Sequence, residues 1–294
     1  MRSLLFVPGD SERKIAKGFG TPADALILDL EDAVAPSRKE AARALCAEVL
    51  GSPRNGKRVI VRINAFDTPH ALHDLAAIVR GNPDGVMLPK CQGPADMRRL
   101  ADMIEILEVR EDLGEGQIEI YPIATETAQA VLSLAEYRAP LRRVAGLLWG
   151  GEDLGADIGA SANREANGRY RPLFEAVRNQ CLLAASAMEA AAIDAVYVDF
   201  RNPDGLRAEA EQAARDGFTA KAAIHPDQIA IINAAFTPGA EAIAHAKAVL
   251  AAFENTESGV ASLNGRMLDA PHLKGARRIL ERARLQVMRD ESGA

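Results

Sequence analysis

Short apolar runs separated by longer amphipathic stretches recur along the chain. They are SLLFVP (3–8), ALILDLED (25–32), VIVRIN (59–64), GVMLPK (85–90), IEIYPIATE (118–126), VAGLLWGGED (144–153), AVYVDF (195–200) and AAIHP (222–226). Their apolar character is continuous rather than alternating, as expected of strands covered on both faces in a parallel sheet. The intervening stretches are rich in Ala, Leu, Arg and Glu at helical spacing. Strand–helix alternation repeated eight times predicts an α/β fold, a (β/α)8 TIM barrel. An open doubly wound sheet is the main competitor.

The polar residues that end these runs favour the barrel. Glu31 and Asp32, Arg62 and Asn64, Lys90, Glu126, Glu152 and Asp153, Asp199, and His225 each follow an apolar run. A barrel brings the carboxyl ends of all its strands to one face, where such a fold builds its active site. An open sheet would bring only some of them together.

Beyond His225 the repeat stops. TPGAEAIAHAKAVLAAFE (237–254) predicts a helix with Thr237 as N-cap and Pro238 at its first position. A Gly/Ser/Asn-rich loop (255–265), the segment RMLDAPH and a basic helix from about Pro271 to Met288 follow. The expected division is a catalytic barrel over 1–235 and a helical extension over 236–294, acting as a lid or an oligomer contact.

Composition narrows the function. The 294 residues carry a net charge of −6 with basic residues dispersed, which argues against a nucleic-acid partner. Three distant cysteines, Cys46, Cys91 and Cys181, offer neither a disulfide framework nor a zinc site. No apolar run approaches the roughly 20 residues of a membrane span. MRSLLFVPGD turns polar too soon for a signal peptide, so a cytoplasmic enzyme is expected.

Glu126 and Asp153 close consecutive runs and should stand side by side on the rim. Neighbouring carboxylates repel unless a proton or a divalent cation lies between them. Oxygen donors without nearby His or Cys favour Mg2+, or Mn2+, over zinc. Helix capping or ion pairing is the plainer alternative for either acid. Alternation in a strand would send Glu152 and Asp153 to opposite faces, and the residues alone do not say which points inward. Arg62 offers a donor fork to a substrate carboxylate or a developing enolate oxygen, or else a salt bridge to Glu31 or Asp32. Lys90 reads as an electrostatic partner rather than a Schiff-base lysine. Arg13 and Lys17, at i, i+4 spacing, suit a polyphosphate or simply a solvated helix face. GxGxxG and P-loop patterns are absent.

RSLLFVPGD, LILDLEDAV, VRIN, VMLPK, IATETA, GGEDLGADIGA, DAVYVDF, GFTAKAAIHPDQI and GRMLDAPH occur in this order. Together they resemble the citrate lyase β-subunit-like enzymes of the HpcH/HpaI aldolase superfamily, which includes malyl-CoA and citramalyl-CoA lyases. The likeness runs from Arg2 to about Leu280. It implies a barrel with a C-terminal lid, assembled as a homotrimer or a hexamer of trimers. It implies Mg2+ at Glu126 and Asp153, and Arg62 as the substrate-binding arginine. Arg13 and Lys17 fall where the lyases hold CoA phosphates, and Phe6 where some members carry a tyrosine. Ile224 and His225 fall in the segment lining the thioester site. Asp269 falls on the lid aspartate, which in these enzymes acts in the neighbouring subunit.

The activity so implied is cleavage of a 3-hydroxy-3-carboxyacyl-CoA thioester to acetyl-CoA and a 2-oxo acid, with Asp269 protonating the enolate. Alternatives on the same scaffold are a citrate lyase β-subunit acting on citryl groups of an acyl-carrier protein, a malyl-CoA thioesterase, and a non-catalytic CoA-binding subunit. A binding module has no need of a lid acid.

Overall fold

The computed structural model describes residues 1–54, 56–254 and 259–292, with side chains up to residue 285 in the last helix. Eight strands among them form one parallel sheet: β1 (Ser3–Pro8), β2 (Ala25–Asp29), β3 (Arg58–Arg62), β4 (Gly85–Leu88), β5 (Glu119–Pro122), β6 (Gly146–Leu148), β7 (Ala191–Asp194) and β8 (Ala220–Ala223). The order is β5-β4-β3-β2-β1-β8-β7-β6. The two ends meet through parallel bridges Ile120–Val144 and Ile123–Leu148, so the sheet closes as the expected TIM-type barrel.

The barrel is filled by one side chain in two from each strand. Leu4, Ala25, Ile27, Ile60, Met87, Tyr121, Ile123, Leu148, Ile193, Ala220 and Ala222 form this inner core. The residues between them point outward beneath the helices, which explains runs that are apolar throughout.

Two strands lie elsewhere than expected: β8 is Ala220–Ala223, two residues before the AAIHP run at 222–226, and β7 is displaced further. The seventh run was placed at 195–200, but β7 is Ala191–Asp194, paired in register with Gly146 and Lys221 on its neighbours. A charged residue ends this strand inside the protein, which disguises it. The run beyond it leaves the sheet, leaving Val198 and Phe200 exposed.

The chain divides into two units, Met1–Asn233 and Ala234–Ala294. The second contains the helix Ala240–Glu254, a hairpin of β9 (Ala261–Leu263) and β10 (Arg266–Leu268), and the helix Ala270–Ser292. Ala246, Val249, Ala261, Leu268 and Ala276 form its core. The first of these helices begins at Ala240, two residues after the expected Pro238 start, so Thr237 is not its N-cap. Residues 261–263 of the expected loop are strand. Asn264 and Gly265, both at positive φ (53° and 77°), form the turn that an Asn-Gly pair favours between antiparallel strands. Residues 255–258 of that loop lie outside the described residues. Among the described residues no helix is long and apolar enough to cross a membrane.

Candidate functional site

Strand alternation decides which polar residues reach the barrel mouth. Ile27 and Ile60 are register partners inside the barrel, so Asp29 and Arg62, two residues on, face the same interior one layer higher. They form a two-point ion pair, Nε to Oδ1 at 2.8 Å and Nη2 to Oδ2 at 2.7 Å. Asp29 also accepts the backbone N–H groups of Glu31 (2.8 Å) and Ala33 (3.1 Å), which fixes the loop after β2. The Nη1 of Arg62 lies 2.9 Å from Glu31 Oε2 and 3.6 Å from Asp32. The Glu31 contact is an ion pair only, since that Glu31 oxygen accepts no hydrogen bond. The Phe6 ring packs against the guanidinium, 4.9 Å from ring centroid to Cζ. The alternative reading of Arg62, a salt bridge to Glu31 or Asp32, is met at both acids, and Asp29, which the sequence did not single out, is the principal partner.

Lys90 takes a left-handed backbone conformation, φ 49°, uncommon without glycine. Its N–H donates to Glu126 Oε2 at 2.5 Å, and its Nζ donates to Glu31 Oε1 at 2.5 Å. Nζ also lies 3.6 Å from Asp153 Oδ1. Burial works against the ammonium, but the hydrogen bond and charge of Glu31, with Asp32 and Glu126, outweigh it and hold its pKa well above normal. A lysine so charged is no Schiff-base nucleophile.

Glu126 follows β5 and is 3% exposed. Burial pushes its pKa up to about 8. The Lys90 N–H opposes the shift, whereas the charges of Asp153 and Glu31 add to it. The Glu126 pKa stays raised despite the Lys90 N–H and the charge of Arg62, so this carboxylate, which faces a second acid, is only partly compensated. Two carboxylates with no imidazole or thiolate fit a hard divalent cation. Among the described residues no three His, Cys, Asp or Glu side chains form a ready metal cage, so water and substrate would complete the coordination of such a cation.

Glu152 and Asp153 are not strand residues. The strand ends at Leu148, and both acids lie in the first turn of the helix Glu152–Asp157. Glu152 and Asp153 both line the cavity with Glu126, but Glu152 is exposed and accepts from Asn163 Nδ2 at 2.6 Å. Asp157 accepts the N–H of Ala128 at 2.7 Å, capping the helix Ala128–Ser133. The two glycines before them are required by close approach. A Cβ on Gly150 would stand 2.8 Å from Glu126 Cγ, and one on Gly151 would stand 2.9 Å from the Trp149 ring.

These residues line a cavity of about 410 Å3 that also includes Phe6, Pro8, Trp149, Tyr170 and Ile224. A second cavity, about 360 Å3, shares Phe6, Pro8 and Ile224 with it. Arg13, Lys14 and Lys17, on the helix Glu12–Phe19 that Ser11 caps, make this second cavity basic. A larger cavity of about 560 Å3 runs along residues 164–170 and touches the first through Tyr170, but it contains neither acid of the pair.

Residues 2–226 match the HpcH/HpaI aldolase/citrate lyase family. The chain belongs to that family. It is 37% identical over 289 residues to a (3S)-malyl-CoA thioesterase of Cereibacter sphaeroides, covering 96% of this chain and 94% of the other. It is 34% identical over 293 residues to the mitochondrial citramalyl-CoA lyase of Rattus norvegicus, covering 95% and 85%. Among solved structures, CitE from Mycobacterium tuberculosis in complex with magnesium, acetoacetate and coenzyme A superimposes with a TM-score of 0.77. That pair is 36% identical, with 96% of this chain and 97% of the other covered.

The other residues that the family likeness singles out also have local roles. His225 caps the short helical turn Pro226–Gln228, its Nδ1 accepting the Asp227 N–H at 3.3 Å, and its ring stacks on Phe200 at 4.8 Å. Asp269 precedes the helix Ala270–Ser292 in the second unit, with its carboxyl half-exposed and paired with His272. Neither Phe200 nor His272 was singled out by the sequence.

Proposed function

We propose that this protein is a Mg2+-dependent carbon–carbon lyase acting on a 3-hydroxy-3-carboxyacyl-CoA thioester of the malyl-CoA or citramalyl-CoA type. The observation that carries this reading is the pair of adjoining cavities. One holds the Glu126–Asp153 acid pair beside Arg62, the other is basic, and they share the Phe6, Pro8 and Ile224 wall. A thioester with a compact acidic head and a long phosphorylated carrier suits two such compartments.

Glu126 and Asp153 would hold the metal. When bound, Mg2+ supplies Lewis-acid stabilisation of the negative charge that develops on the substrate oxygens. Arg62, clamped by Asp29 through Nε and Nη2, would turn Nη1 to the substrate carboxylate or the enolate oxygen. Lys90 holds Glu31 and sets the orientation of Glu126 through its N–H. As the C–C bond breaks, the hydroxyl would give its proton to solvent water and become the carbonyl of a 2-oxo acid. The bonding electrons pass to the thioester fragment as its enolate. Asp269, from the C-terminal unit, would protonate that enolate carbon to give acetyl-CoA. Arg13 and Lys17 would meet the CoA phosphates, with Phe6, Ile224 and His225 lining the thioester. We infer a cytoplasmic homotrimer or a hexamer of trimers, a state that light scattering reads directly.

The test is a lyase assay on malyl-CoA, citramalyl-CoA and methylmalyl-CoA, with and without EDTA. Mg2+-dependent release of a 2-oxo acid is the expected result, and its absence on all three thioesters would overturn the reading. The likeness to a malyl-CoA thioesterase supports a second outcome on the same site, hydrolysis to free malate, which the same product analysis separates from cleavage.

A further inference from the structure

The β9–β10 hairpin leads the chain to Asp269, whose carbonyl accepts the N–H groups of His272 (3.0 Å) and Leu273 (3.2 Å) at the start of the last helix. His272, the third residue of that helix, turns back so that its Nδ1 lies 3.2 Å from the Asp269 backbone N. This is half of a capping box, in which the third helical residue accepts the N–H of the capping residue. A cap needs only that contact. The same Nδ1 also lies 2.5 Å from Asp269 Oδ1, a link between the two side chains that capping does not require. Both side chains are about half exposed, so neither needs the other for burial.

We propose that His272 is a positioning residue for Asp269, holding its carboxyl in one orientation through the proton transfer. The proposal rests on the acid–base role given to Asp269 above. An imidazole nitrogen suits the task because it works in either sense. With its proton, Nδ1 donates to the Asp269 carboxylate and gives up the capping N–H; without it, Nδ1 accepts that N–H and the proton of the protonated acid. The contact therefore persists as Asp269 gains or gives up its proton.

The substitution His272→Gln in the full chain tests this. Glutamine at the third helical position keeps an acceptor for the capping N–H and removes the imidazole. The expected result is an unchanged unfolding midpoint and an unchanged KM for the thioester, with kcat reduced by about ten- to a hundredfold. His272→Ala should be similarly slow and partly restored by added imidazole. Wild-type kcat in His272→Gln, with Asp269→Asn inactive, would overturn the inference and leave the role of Asp269 standing. A loss in His272→Ala that imidazole does not relieve, accompanied by a lower unfolding midpoint, would assign His272 to capping alone and overturn it too. Full activity in Asp269→Asn would instead sink the reading on which the inference rests.

Discussion

Asp194 of β7 and Lys221 of β8 are register partners joined by a 2.8 Å ion pair, and neither side chain is exposed to solvent. Both point away from the barrel interior. Asp194 also accepts from Trp149 Nε1 at 2.7 Å and Arg178 Nε at 3.0 Å, while Lys221 donates to Glu209 at 2.9 Å and to the Ala195 carbonyl at 2.6 Å. Arg164 extends the network, donating to Glu209 at 2.6 Å and to the Tyr170 hydroxyl at 2.5 Å. Trp149 and Tyr170 pack edge to face, 4.8 Å apart, and both line the candidate active-site cavity. The network thus ties the sheet to the wall of that cavity.

Removing one member of a buried, hydrogen-bonded ion pair leaves the other without compensation, which costs about 3–5 kcal/mol. Asp194→Asn and Lys221→Met should each lower stability by that order in urea unfolding. Because the partners touch, the double variant should cost less than the sum of the two. Strict additivity would show that the pair is not coupled.

The same pair sets a pH dependence. Burial opposes the Asp194 carboxylate, but the charges of Lys221 and Arg178, with hydrogen bonds from Lys221 and Trp149, outweigh burial and hold its pKa below normal. An unfolded aspartate protonates near about pH 3.9. This contribution is therefore present above that value and is lost as the pH falls through the lower folded pKa, because the unfolded chain binds the proton first. Lys221, held above its ordinary value by Asp194 and Glu209 against the effect of burial, loses its contribution only as the pH rises past the normal lysine range. Urea midpoints of the wild type should decline on the acid side, and those of Asp194→Asn should decline less. Equal acid slopes would contradict this account.

Gly150→Ala tests the approach of the β6 loop to the acid pair. Its Cβ would stand 2.8 Å from Glu126 Cγ, inside any normal contact, so the carboxylate has to move. The variant should fold, because Gly150 does not have a positive φ. Its Mg2+ affinity, read by calorimetry, should fall by about tenfold or more. Wild-type affinity would mean that Glu126 is not a metal ligand in the orientation described.

Where the hydrophobic pattern is strong, the sequence is easily read. β1 spans the expected SLLFVP run, and β2 to β6 each fall within or one residue from their expected runs. β7 was displaced because AAID ends in a buried charge, and no local pattern reveals that Lys221, Arg178 and Trp149 neutralise it. Asp29 was passed over for the same reason, since it looks like one more acid in LILDLED until strand register places Arg62 opposite it. Glu152 and Asp153 read as strand residues, and only the end of the strand at Leu148 shows that both lie in the first turn of a helix. The Asn264–Gly265 pair was a legible hairpin signal that the surrounding Ser and Asn residues obscured.

Arg13 and Lys17 rim the basic cavity and share no hydrogen bond with the acid-pair cavity, so their effect should be confined to the carrier end of the substrate. A charge-assisted contact to phosphate is worth about 1.5–3 kcal/mol when well formed, and less for exposed side chains such as these. Arg13→Ala and Lys17→Ala should each raise KM for a CoA thioester by about three- to tenfold, on that scale, with little change in kcat. A pantetheine thioester lacking the nucleotide phosphates separates binding of the carrier from binding of the acyl head. Its KM should be the same in the wild type and both variants, since the contact removed is one that this substrate never makes. If the variants slow the pantetheine substrate as much as the CoA thioester, the two basic residues act on the barrel mouth itself rather than on the phosphates.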